Sequence, residues 1–302
     1  MMTLRQLMAT FPSEDDCKEF LFKRRWPKAV TCPRCGKAEQ VYALKTMPWR
    51  WECANKACRT GNAYRFSIIS GTVFENTKYP LKTWFEVLWQ MLNSKKGVSA
   101  MQIQRQIGAG SYQTAWYMCH RLRAAMKDPD FKRLMGVVEV DETYIGGKNR
   151  NRHGGGRGMM ERTGKRTIAR DDKVPVIGAI SRKGNVTCQV LERVTAQKMA
   201  GFVQEVVDSK VSLVATDEHC GYDRLRGMGF PHETVNHHEN EYVRGVVHTA
   251  NLDSFWALLK RGVIGTYHNV SRRYLPLYLA EFEFRHNNRE NPDIFGVAIA
   301  GC

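Results

Sequence analysis

The chain has 302 residues, 43% hydrophobic, 10% aromatic and 25% charged, a composition that suits two or three folded domains and excludes global disorder or a collagen-like repeat. Lysine and arginine number 46 against 30 aspartates and glutamates, giving a formal net charge of +16, an excess expected of something that holds a polyanion, with nucleic acid as the leading partner. No apolar run approaches the length that crosses a bilayer and the first residues lack a signal-peptide pattern, so no membrane partner is expected and the chain reads as intracellular.

Residues 1–75 are expected to form a helical lead-in and a metal-binding module. Nine cysteines in such a chain argue for metal or free thiols over disulfides, and four of them cluster. Cys32-Pro-Arg-Cys35 is separated by 17 residues from Cys53-Ala-Asn-Lys-Ala-Cys58, with strand-like spacers between. Two such pairs match a zinc ribbon, each supplying half of a tetrahedral thiolate site for one Zn²⁺. Four sulfurs fill the coordination sphere and leave no open position, so this metal should fold the module without doing chemistry.

Residues 76–130 change period. Leu81, Trp84, Phe85, Leu88 and Leu92 fall at helical spacing, as do Ala115, Met118, Leu122 and Met126, with a shorter helix over 99–107 between them. Gly108 and Gly110 supply a turn and Ser111 a cap for the helix that follows. The pattern suits a helix-turn-helix whose second helix offers Tyr112 and Gln113 to base edges and Arg121 and Arg123 to phosphates. An ordinary helical hairpin with a solvated basic face fits the same residues.

From residue 131 to 302 the texture is α/β. A strand over GVVEVDETYIGG, a hairpin about Arg182–Asn185, an amphipathic helix near 195–209, a buried strand SLVATDEH and two further helices describe one sheet with helices on it. Between 146 and 173 lies a glycine-rich stretch with nine lysines or arginines against three acids, read as a loop that grips phosphate through Lys148, Arg150 and Arg152.

Asp141 and Asp217 stand where two apolar strands emerge, the place where ligands collect in α/β sheets. Asp253 opens the helix NLDSFWALLKRG at the edge of its buried stripe, and Lys260 lies seven residues on, on the same side. Three acids of this kind would make a hard-cation site for Mg²⁺ or Mn²⁺, with Lys260 beside it for phosphate. Neighbours on a strand point oppositely, so Glu142 is expected at the surface, and Trp256 in the core.

The order of zinc ribbon, helix-turn-helix segment and the strings VEVDETYIGGK, ATDEHCGYDRL and VHTANLDSFWALLKRGVIGTYHNVS resembles insertion-sequence transposases of the DDE superfamily, in the branch with an N-terminal zinc ribbon, over nearly the whole of residues 32–288. The 35 residues between Asp217 and Asp253 also resemble the spacing of that superfamily and of retroviral integrases. The resemblance implies a ribonuclease-H-like mixed sheet with flanking helices that cuts and rejoins double-stranded DNA with two Mg²⁺ or Mn²⁺ ions. It further implies a homo-oligomer on paired element ends, in the bacterial cytoplasm on the nucleoid. Two departures stand out. Aspartate occupies position 253 where the family usually has glutamate, with Asn251 as an alternative ligand or a helix cap, and the tail beyond Asn288 differs from the family's usual ending. They favour the alternative of an inactive, transposase-derived DNA-binding regulator; a structure-specific nuclease is the other alternative on the same fold.

Overall fold

The computed structural model describes residues 2–58, 62–127, 131–146, 173–182, 184–235, 243–245 and 247–302. The polypeptide divides into two compact units, Met1–Asp128 together with Asn288–Cys302, and Pro129–Asn287.

In the first unit, helices α1 (Leu4–Thr10) and α2 (Glu14–Arg25) each begin with a capping box, Thr3 with Gln6 and Ser13 with Asp16, which satisfies backbone N–H groups at both helix starts. A three-stranded antiparallel sheet follows, β1 (Val41–Ala43), β2 (Arg50–Cys53) and β3 (Tyr64–Ser67), in that spatial order. So small a sheet cannot bury much on its own, and its apolar side is made of rings: Trp51 stacks on Phe22 and Phe66 and meets the edge of Trp26. Arg25 donates to the carbonyls of Ile68 and Ser70, tying the sheet's exit to α2.

Three helices complete the expected pattern: α3 (Leu81–Asn93), α4 (Ala100–Ile107) and α5 (Tyr112–Ala125). The Glu14 carboxylate accepts from the backbone N–H groups of Leu81 and Lys82 and so caps α3, which begins at a proline with no side-chain cap of its own. Ser99 and Ser111 cap α4 and α5, and Gly108 ends α4 with φ of 63°, a left-handed turn that glycine adopts without strain.

The tail beyond Asn288 packs with this unit, whereas the sequence boundary placed it with the α/β residues. Its helix α10 (Ile294–Ala300) puts Phe295 into a ring cluster with Phe11 and Phe85, at centroid distances of 5.8 and 5.4 Å, and Asp293 pairs with Arg24.

The second unit is a five-stranded mixed sheet flanked by helices, consistent with a ribonuclease-H-like fold. Its strands are β4 (Val137–Ile145), β5 (Val174–Ser181), β6 (Val186–Val190), β7 (Leu213–Thr216) and β8 (His232–Thr234), in the order β6-β5-β4-β7-β8. Strands β6, β5 and β4 run antiparallel to their neighbours, while β4, β7 and β8 are parallel. Helix α6 (Ala196–Val206) covers one face through Met199, Phe202 and Val203, which pack with Val138, Val140 and Ile177. On the other face, α8 (Ala250–Gly262) and α9 (Leu275–Asn287) bring Leu252, Trp256, Leu279 and Phe282 against Val174, Val176 and Ile180. A short helix, α7 (Arg224–Gly227), precedes β8; neither it nor β8 stands out from the sequence.

Phe295→Ala is expected to lower the stability of the first unit by about 3–5 kcal/mol, the range for emptying a buried aromatic site. Urea titration of the full chain checks this, with Phe295→Leu as the control that keeps most of the volume and most of the stability.

Candidate active site

The four cysteines of the ribbon converge. Cys32 and Cys35 come from the loop before β1, Cys53 from the end of β2 and Cys58 from a short 3₁₀ turn, and their sulfurs all lie within 4.8 Å of one another. Cys32 Sγ is 3.7 Å from Cys58 Sγ, and Cys35 Sγ is 3.9 Å from Cys53 Sγ. A tetrahedral ion with bonds of about 2.3 Å to sulfur requires edges of about 3.8 Å, so the cage fits zinc, while disulfides need about 2.05 Å. The backbone N–H of Lys37 and the neighbouring thiols lower Cys35 to about 7, and burial raises Cys58 to about 12.

On α5, Tyr112, Gln113 and Tyr117 are exposed. Arg123 is not available in the way the sequence suggests: it is only 2% exposed. Arg121 donates to the carbonyl of Glu75 and lies over the Trp84 ring, so its guanidinium serves the fold before any partner. Lys148, Arg150 and Arg152 fall outside the described residues, as do His237 and His238.

The acids gather where β7 ends beside the middle of β4; Asp141 is not at a strand end as the sequence suggests, because β4 continues to Ile145. Register pairs Val137 with Leu213, Val138 with Val214 and Glu139 with Ala215, and two further steps bring Asp217, just past the end of β7, beside Asp141 on β4. Carboxylate oxygens of Asp141, Glu142 and Asp217 all lie within 4.8 Å of one another. Glu142 is therefore not the surface residue that strand alternation suggests; its side chain is only 8% exposed. Alternation does send Asp141 toward α8 and Glu142 toward the α6 side. Their carboxylates nonetheless share one cluster with Asp217, which stands just past the end of β7 at Thr216.

Each acid is held. The buried Tyr222 hydroxyl donates to Glu142 Oε2 at 2.8 Å, and His219 Nε2 lies 3.8 Å from Glu142 Oε1. Trp256 Nε1 donates to Asp141 Oδ2 at 3.0 Å, a second role for a residue expected only to pack. The backbone N–H of His219 donates to Asp217 Oδ1 at 3.2 Å, a tight turn that fixes the acid just beyond its strand.

Asp253, on the first turn of α8, does not join the group within 4.8 Å. Its Oδ2 accepts from the Thr249 hydroxyl at 3.3 Å, and the short side chain stays on its own helix, although its charge is close enough to raise Asp141. Asn251 faces a different acid. Glu139, fully buried, accepts from Asn251 Nδ2 at 2.7 Å, from the backbone N–H groups of Asn251 and Leu252 at 2.9 and 3.2 Å, and from Arg182 Nε at 2.9 Å, with His248 Nδ1 at 3.3 Å. Glu139 thus does for α8 what a cap residue does locally, from the neighbouring strand. Glu139 is not among the residues singled out from the sequence, where its one signal is that it stands as a lone glutamate in the apolar run Val137–Val140. Lys260 is exposed two turns beyond Asp253, and Tyr144 is 49% exposed on β4.

Burial, then the charges of Asp217, Glu142 and Asp253, raise the Asp141 carboxyl to about 7. Burial raises Glu142 as well, against the Tyr222 hydrogen bond that lowers it. Carboxylates crowded until one keeps its proton near neutrality form a site that a divalent cation would relieve, and oxygen donors suit Mg²⁺ or Mn²⁺.

Family models match residues in both units. The family model of the ISXO2-like transposase domain matches residues 133–287, and that of the transposase zinc-ribbon domain matches residues 12–61. An uncharacterized protein in the transposable element ISH50 of Halobacterium salinarum is 30% identical over 291 residues, 94% of each chain. An uncharacterized transposase-like protein of Haemophilus influenzae is 28% identical over 111 residues, 34% of this chain and 85% of its own. A solved chain of the simian T-cell lymphotropic virus intasome in complex with the PP2A regulatory subunit B56 gamma covers 67% of this chain and 65% of its own, at 11% identity and a TM-score of 0.32.

The raised Asp141 has a stability consequence. Its folded value lies above the unfolded one, so the native state holds a proton that the unfolded chain has released, and that contribution is present at low pH and lost as pH rises toward about 7. In chelator, Asp141→Asn should therefore raise the melting midpoint at about pH 8 and change it little at about pH 4, a difference that thermal scans at the two values would read.

Proposed function

The chain belongs to the ISXO2-like transposase family, and on that premise we propose that it binds the ends of a mobile DNA element and cuts and joins DNA strands there. The observation that carries the reading is the convergence of Asp141, Asp217 and Glu142 where β7 ends beside β4, with Asp253 outside the group but near enough for its charge to raise Asp141. These residues would hold Mg²⁺ or Mn²⁺, and such ions when bound supply positive charge to the attacking and leaving oxygens of an in-line phosphodiester displacement. The protein's share is to fix the carboxylates, through Tyr222 on Glu142, Trp256 on Asp141 and the His219 turn on Asp217. Water is the first attacking group and the freed 3′-hydroxyl the second, so no protein nucleophile is required. Lys260, on the same side of α8 as Asp253, would receive a phosphate.

The cysteine cage would hold one Zn²⁺ and keep the ribbon folded. Tyr112 and Gln113 at the start of α5 would meet base edges. The net charge of +16 would draw the duplex in, aided by Lys148, Arg150 and Arg152 and, where its contacts allow, Arg121. Two or more copies would act together on paired ends. A DNA-binding regulator is the second reading, favoured by the position of Asp253 outside the carboxylate cluster.

Asp141→Ala and Asp217→Ala are expected to abolish Mg²⁺-dependent strand cleavage and joining while element-end binding persists. Joined products from the wild-type protein support a transposase, cleaved products alone a nuclease, and intact DNA bound by wild-type protein the regulator. Full activity in either alanine variant would place the chemistry elsewhere.

Removing zinc with a strong chelator should unfold the ribbon and weaken end binding, with the second unit's helix and strand signal retained; circular dichroism and gel-shift titration give the two readouts.

A further inference from the structure

The register of β4 against β5 pairs Asp141 with Gly178, both on the face covered by α8. A Cβ on Gly178 would stand 2.7 Å from both Cζ2 and Cη2 of Trp256, so any other residue there would displace the indole. Trp256 is itself 3% exposed, and a buried indole N–H needs an acceptor. Its acceptor is the Asp141 carboxylate, in a cluster of like charges where a donor stabilises the ionised form.

The helix is registered on the strand at a second point. Glu139 accepts from the first turn of α8 at Asn251 and Leu252, and Asp141 accepts from Trp256 one turn later. Two residues along a strand advance about 6.6 Å and four along a helix about 6.0 Å, so two acids on one face of β4 match donors one turn apart on α8.

From this we propose that Trp256 is a positioning residue of the carboxylate site. Its N–H pins one oxygen of Asp141 and fixes the plane in which that carboxylate faces Asp217 and Glu142, and Gly178 is the space that admits the ring. The proposal rests on the reading that Asp141 holds a divalent cation.

Replacing Trp256 in the full chain with β-(3-benzothienyl)alanine, introduced at a nonsense codon, keeps the ring's shape and puts sulfur where the N–H was. Mn²⁺ binding, followed by the paramagnetic resonance of the free ion, should weaken about tenfold or more, while the melting midpoint stays near that of the wild type. Gly178→Ala should weaken Mn²⁺ binding in the same direction. In a Trp256→Phe background, whose smaller ring leaves the space free, Gly178→Ala should add nothing.

Unchanged Mn²⁺ affinity in the benzothienyl protein overturns the role of the N–H, and equal losses from Gly178→Ala in both backgrounds overturn the role of the gap. Asp141→Asn separates the proposal from its premise. If that variant binds Mn²⁺ like the wild type, the site reading itself fails; if it loses Mn²⁺ while the benzothienyl protein retains it, only the positioning role fails.

Discussion

Mutual repulsion among carboxylates governs the second unit. Asp141, Glu142 and Asp217 are held with carboxylate oxygens within 4.8 Å of one another by the backbone: a parallel register sets Asp217, just past the end of β7, beside Asp141, and Glu142 is its neighbour on β4. Such an arrangement is unfavourable in isolation and persists because the surrounding sheet determines it. The donors around the cluster, a tyrosine hydroxyl, an indole and a backbone amide, each meet one acid without neutralising it. The charge is left for something else to balance, which is what a cation site requires.

Glu139 shows the contrast between an acid that builds the site and acids that form it. Fully buried, it is surrounded by donors: a guanidinium, an amide and two helix N–H groups. It lies two residues from Asp141 on the same face, yet faces helix and arginine rather than other carboxylates. One strand therefore carries a satisfied glutamate that docks α8 and a frustrated aspartate that α8 helps to aim. Removing the first would be felt as a displaced helix, removing the second as a relief of crowding among like charges.

Much of this was legible in the sequence because periodicity and spacing report backbone geometry. The cysteine pairs, the three helices over 81–125, the hairpin about Arg182–Asn185 and the strand ending just before Asp217 occur where pattern places them, whereas β4 runs on to Ile145 and leaves Asp141 in mid-strand rather than at a strand end. The misreadings share one cause. Alternation and helical spacing describe a residue's own element, and Glu142, Arg123 and Asn251 are decided by others: Glu142 by the acids and the tyrosine beside it, Arg123 by burial, and Asn251 by a glutamate on a strand. Pattern places the chain after Asn288 with the α/β residues for the same reason, since the partners of Phe295 lie more than two hundred residues earlier.

That tail has a consequence for biosynthesis. The ring cluster of Phe11, Phe85 and Phe295 draws on both extremes of the chain, so the first unit cannot finish its interior while the ribosome is still translating the second. A message cut short within the α/β residues would yield a polypeptide lacking a wall of its N-terminal half, exposed to proteases there.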